Sequence, residues 1–158
     1  MVDTLLQTHN VVTLLAPAAD AAGRTSSVYV SLKHALKAWV VVHITQGNAA
    51  TILLSLLQAT AVAGTGSKAG PAVSLWANQD TATDAFTKQT DAATFTTSAA
   101  VKNKIVIFEI DPSKLDRTND FDCIGLSTGA SNAANITSAM VIVKNGYAQA
   151  TPPSVLTD

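Results

Sequence analysis

The sequence predicts an all-β fold: a jelly roll or β-sandwich of about eight short antiparallel strands, with N- and C-terminal extensions. Three observations carry that expectation. Apolar residues recur mostly with period two. The runs are rich in Val and Ile, return roughly every ten residues, and are bounded by Gly, Asn, Asp or Pro. No apolar pattern with helical spacing extends to three turns, and strand and helix patterns do not alternate, which argues against a doubly wound sheet.

The elements follow in order. "VVTLLAP" (11–17) is the first strand, then "SSVYVSL" (26–32), "AWVVVHIT" (38–45), "TILLSLLQ" (51–58) and "AVSLWAN" (72–78). "DAFTKQT" and "AATFTTS" are weaker, Thr-rich strands whose Phe86 and Phe95 are expected to point inward. "KIVIFEI" (104–110), "FDCIGLS" (121–127) and "SAMVIVK" (138–144) complete the set. "SLKHALKA" (31–38) has Leu32, Ala35 and Leu36 at helical spacing, but it joins two strong strands and reads as a strand end and a hairpin. "DPSKLD" (111–116) reads as one helical turn, with Asp111 as cap and Pro112 in the first position. Composition hardly shifts along the chain, so one domain is expected over residues 11–150, with an arm at 1–10 and a tail at 151–158.

Alternation sets Val106, Phe108 and Ile110 against Ile105, Ile107 and Glu109, and Val40, Val42 and Ile44 against Trp39, Val41 and His43. Both faces are apolar, which predicts central strands whose second face is covered by a partner.

Of the 158 residues 47% are hydrophobic and only 13% charged, against about a quarter charged in a typical globular chain. With a net charge of −1, no electrostatic pull toward nucleic acid or anionic membrane is expected. So few charges suit a surface held inside an assembly. Cys123 is the single cysteine, which excludes an intrachain disulfide, fits synthesis in a reducing cytoplasm, and reads as a small buried hydrophobe. "MVDTLLQTHN" lacks the pattern of a signal peptide, and the longest uncharged stretch breaks into Gly and Ser too early to span a bilayer.

Motifs that could carry chemistry fail on context. Gly125-Leu126-Ser127-Thr128-Gly129 spells the G-x-S-x-G nucleophile elbow, but in that fold the acid and the histidine follow the serine. His9, His34 and His43 all precede it, so Gly125 and Gly129 read as opening a turn. "AGTGSKAGP" (63–71) has neither the Walker order nor dinucleotide-loop spacing, and reads as a flexible surface loop of the kind that often carries contacts. Asp111, Asp116, Asp120 and Asp122 lack an EF-hand's glycine and terminal glutamate, and His43 reads as a half-buried packing residue. Trp39 and Trp76 could stack on a sugar, but two tryptophans in a sandwich read more readily as core. No catalytic residue, metal or cofactor is therefore expected.

"AVKNKIVIFEIDPSKLD" and "FDCIGLSTGASNAANITSAMVIV", taken with "VVHITQGNAAT", "LLQATAVAGTGSKAG" and "SLWANQDTATD", resemble a family of small head-decoration, or cement, proteins of tailed bacteriophages. The similarity runs over roughly residues 10–150. It implies a protein made in the host bacterial cytoplasm that sits on the outer surface of the capsid; some members of the family have jelly-roll folds, in agreement with the strand count. Its partners would be the major capsid protein and further copies of itself, as a homodimer or homotrimer. Leu5, Leu6, Val155 and Leu156 are then expected as apolar anchors reaching a neighbour, with Thr65 and Lys68 as loop contacts. A carbohydrate-binding or adhesion module of the virion, or another head or tail component, is the alternative.

Overall fold

The computed structural model describes residues 4–157 and is an all-β sandwich of two antiparallel sheets. The strands are β1 (His9–Ala19), β2 (Arg24–Thr25), β3 (Val30–Ser31), β4 (Ala35–Gln46), β5 (Leu53–Ala59), β6 (Lys68–Ala69), β7 (Val73–Asn78), β8 (Thr87–Ala92), β9 (Thr94–Thr96), β10 (Asn103–Ile110), β11 (Cys123–Thr128) and β12 (Asn135–Asn145). A one-turn helix, α1 (Leu5–Thr8), precedes them. The larger sheet has the order β1-β12-β4-β10-β7-β8. In the smaller one β11 and β5 form the centre, with β2 and β3 sharing one flank and β6 and β9 the other.

The chain changes sheet at most connections, and this explains where the sequence expectations slip. β3 pairs with β11 and β4 with β10 and β12, so 31–38 is a corner between sheets and not a hairpin. Most of 26–32 is likewise not strand, because Tyr29 is spent covering the outer side of β11 beside Ala59 and Cys123. Phe86 lies in the loop before β8 and is exposed, whereas Phe95 on β9 packs against the core as expected. The capped turn at 112 forms as one turn of 3-10 helix: Asp111 accepts from the Ser113 N–H at 2.9 Å, with Pro112 in the first position.

Alternation sorts the faces, and the structure decides which of the two apolar sets turns inward. Val40, Val42, Ile44, Val106, Phe108 and Ile110 of the larger sheet face Leu54, Leu56, Ile124 and Leu126 of the smaller, all fully buried. Pro17 occurs in β1, an edge strand, where its missing N–H breaks no ladder; the β1–β12 register shifts twice along that edge.

Two buried polar clusters lock one end of the sandwich, in the row that joins Thr137, Ile44 and Lys104. Asp20 accepts from Thr128 Oγ1 at 2.7 Å, from Thr137 Oγ1 and from Arg24 Nε at 3.1 Å, tying β1, β2, β11 and β12 together. Lys104 starts the inward row of β10 and is fully buried. Its Nζ donates to Gln46 Oε1 at 2.7 Å, Ser98 O at 3.0 Å and Ala100 O at 2.5 Å. Removal from water lowers the pKa of this ammonium, but three acceptors match its three protons.

Candidate functional site

Strand directions gather one set of features at a single end of the sandwich. β1 starts there, β12 ends there, and β4 starts beside them, through the pairs His9↔Lys144 and Lys144↔Lys37. The same end carries the 60–67 loop after β5 and the 111–122 segment after β10. Lys68 Nζ joins these last two by an ion pair to Asp116 at 2.5 Å, and lies 3.8 Å from the centre of the Phe121 ring.

The tail folds back over this end. Ser31 N donates to Val155 O at 2.8 Å, Asn10 Nδ2 to Pro153 O at 3.0 Å, and Gln149 N to Gln7 O at 2.9 Å. All six expected contact residues thus meet at one end, although they are spread over the whole chain. Their exposures differ. Val155 is 8% exposed and packs into this chain's own core, because the returning tail plugs the gap beside β3, so its side chain does not reach outward. Leu5, Leu6 and Leu156 stay exposed, as do Leu36 and Tyr147, the last at 73%; neither was singled out from sequence. Leu36 sits beside the register shift in the β12–β4 pairing, and Tyr147 follows Gly146. A cavity of about 300 Å³ between Lys33, His34, Asn145 and Pro153 lies among them.

The glycine loop is stitched, where the sequence suggests flexibility. Thr60 N donates to Thr65 O, Ser67 N to Gly64 O, and Tyr29 Oη lies 2.7 Å from Ser67 Oγ. Gly64 (φ 80°) passes under the Tyr29 ring so closely that a Cβ would come within 2.7 Å of it. Thr65 is exposed at the tip, whereas Lys68 is held at the loop's base by Asp116 and Phe121.

A second surface is the outward face of the larger sheet. Its register aligns Val11, Ile142 and Trp39 in one row. Met140, Val41, Ile107 and Trp76 form the next, with Ile105 beside His43 beyond it. Met140 is 46% and Trp76 36% exposed, and Trp39 is half-buried. The tryptophans are therefore not core residues. The inward positions of β4 and β7 belong to Val40, Val42, Leu75 and Ala77, so parity sends Trp39 and Trp76 outward. His43 points outward too and is exposed. Within the face, Glu109 pairs with Lys37 and stands beside Trp39 in the β10–β4 register. The Lys37 hydrogen bond is the main reason its pKa lies below the ordinary value.

The G-x-S-x-G stretch does not form an elbow. Gly125 and Ser127 both lie inside β11, between Leu57 and Ser55 of β5 on one side and, at Ser127, Thr25 of β2 on the other. Gly125 is thus a strand residue and not part of a turn. Its bare Cα accommodates Tyr29 and Ser26, each 2.6 Å from where a Cβ would stand. Ser127 faces the outer side of the smaller sheet and His43 the outer side of the larger, so two sheets separate them. Among the acids, Asp111 caps its turn, Asp116 binds Lys68 and Asn119, and Asp120 closes the second 3-10 turn at φ 60°. Cys123 is buried beside Tyr29 and Ala59, its Sγ 3.3 Å from Asp122 Oδ1. No group of three metal-ligating side chains occurs among the described residues, and no helix among them is long and apolar enough to cross a membrane.

No family model and no curated protein matches the chain. Solved structures similar in part include the SPBc2 prophage-derived protein YomS, at 9% identity and TM-score 0.48 over 86% of this chain and 93% of that one. The PRD1 vertex protein aligns at 8% identity and TM-score 0.38 over 89% and 99% of the two chains. The Triatoma virus empty capsid aligns at 7% identity and TM-score 0.37 over 99% of this chain and 100% of that one. Likeness at this level carries no inference about role.

Proposed function

We propose that this chain is a structural protein of a tailed-phage virion that decorates the outer surface of the capsid and cements neighbouring major capsid subunits. The observation that carries the reading is the shared end: an exposed N-terminal helix turn, the returned tail, Thr65 at a loop tip and Tyr147 together offer apolar contacts from distant parts of the chain. The running sequence resemblance supports the same reading. A clamp of this kind works by summation, since several modest contacts made at once benefit from high effective concentration. The sparse charge of the chain lowers the cost of burying it between partners.

Co-sedimentation of the purified protein with undecorated, expanded phage heads tests the proposal. Saturable binding near a simple ratio to the major capsid protein is expected, with heads that survive heating better. Binding should weaken at least tenfold on Leu5→Glu together with Leu6→Glu, which alter exposed positions. Failure to bind expanded heads refutes it. A second reading, a carbohydrate-binding module, is favoured by one observation, the outward Trp39 and Trp76 around Glu109. A fluorescence titration with soluble oligosaccharides tests that alternative.

A further inference from the structure

The outward face of the larger sheet is out of character for a solvated surface. An antiparallel sheet with one wet side shows a polar outer row. Here the two central strands, β4 and β10, instead present Trp39, Val41, Ile105 and Ile107, and nothing else in the described chain packs over Met140 or Trp76 deeply enough to bury them. The apolar stripe continues across β1, β12, β4, β10 and β7. An apolar area of this extent on a lone chain marks an interaction surface.

We infer that this face is where a second copy of the chain packs, sheet against sheet, in a two-fold dimer. Size, charge and symmetry select that occupant. Six strands at ~4.8 Å, each offering about eight residues at ~3.4 Å, make a face of roughly 780 Å². One partner of a standard stable interface contributes about 800 Å². A partner recognised by charge needs a charge to read in the middle of the face, yet Glu109 is already occupied by Lys37, Lys144 lies at the end of β12 where β1 begins, and the Lys88–Asp91 pair lies at the edge strand. An identical face therefore meets it without stranding a charge at its centre, with Lys144 left at the rim. A single continuous stripe also suits the isologous contact of a two-fold, in which the same patch serves both chains; a closed ring of three needs two different patches. Tryptophan in the middle of such a face is the usual anchor of an interface. Packed this way, the dimer leaves the end that carries α1 and the returned tail open on both copies.

The chain has two tryptophans and both lie on this face, so its fluorescence reports on the contact directly. Sedimentation equilibrium and tryptophan emission would be measured over the same dilution series. The expected mass is about twice 16.3 kDa, with emission moving to the red as dilution separates the copies. Met140→Glu and Val11→Glu, both at positions exposed in one chain, should each give the single-chain mass with unchanged far-UV circular dichroism, at least tenfold weaker association and red-shifted emission throughout. Leu6→Glu should leave the dimer intact. A single-chain mass up to ~100 μM overturns the inference, and so does a trimer that survives Met140→Glu. A single-chain mass with emission that responds to oligosaccharide overturns it in favour of a sugar platform. The outcome is separable from the capsid reading: a dimer that ignores heads defeats that reading alone, and a head-binding chain that never pairs defeats this one.

Discussion

Replacing Lys104 with methionine tests how the open end of the core is sealed. Lys104→Met keeps the length of the side chain and removes only the ammonium, which in the native chain holds Gln46 Oε1, Ser98 O and Ala100 O. Ser98 O keeps a second donor, Gln46 Nε2 at 2.9 Å, so two acceptors bear the loss. At about 1–3 kcal/mol for each buried acceptor left without its donor, the cost is about 2–6 kcal/mol. Relief from holding a cation away from water offsets part of this, leaving about 2–4 kcal/mol. For a chain of this size the melting temperature should fall by about 4–16 °C. Urea unfolding followed by circular dichroism, with the m-value unchanged, is the assay. Adding Gln46→Leu to Lys104→Met should cost less than the sum of the two single changes, because the pair shares one bond. A methionine variant as stable as the native protein would refute the reasoning and show that desolvation of the ammonium outweighs its bonds. The pH dependence has a definite sign. The folded pKa lies below the ordinary 10.5, so between the two values the unfolded chain binds more protons. The native protein's advantage over the methionine variant should therefore grow as pH rises through that window, and stay level below it.

Two further outcomes follow from the ion pairs. Asp20→Ala removes the counter-ion of the half-buried Arg24, which keeps only the carbonyls of Ala16 and Thr137, and leaves two threonine hydroxyls without their acceptor; it should cost about 2–4 kcal/mol in urea unfolding, with Asp20→Asn milder, and a loss under about 1 kcal/mol would show that the cluster is not structural. Glu109 is the chain's single glutamate, so its side-chain carboxyl carbon titrates as an isolated NMR signal. Lys37→Met should move its pKa up toward the ordinary 4.5. The stability this pair contributes is present above that value and lost as pH falls through the lowered folded value, so the two proteins should converge in strong acid.

Much of the sandwich was legible because strands alternate: Val106, Phe108 and Ile110 share one face as their spacing requires, and the structure turns that face inward. What alternation cannot supply is which sheet a strand joins, so the corner at 31–38 looked like a hairpin. Nor does it choose a side when both are apolar, and for that reason Trp39 and Trp76 were assigned to the core. Lys104 was unreadable, since lysine at a strand start usually faces water and only the loop at 98–100 reveals the cage. The meeting of Leu5, Leu6, Thr65 and Leu156 at one end depends on strand directions, and Val155's burial on a returning tail; neither leaves a local signal in sequence. The alternating apolar second face did carry one, and it pointed outward from the chain.

Because Thr4 and Thr157, the first and last described residues, lie at the same end as the loops, the molecule has a natural front and back for anyone wishing to attach cargo. A tag or enzyme fused to either terminus would crowd the end proposed for docking. The exposed 82–86 segment lies on the opposite end, after β7, and is anchored near its start by Asn78 Nδ2, which donates to Thr83 O at 2.8 Å. A peptide inserted after Asp84 would project from the back of the protein, with the strands on either side left to hold the scaffold in register.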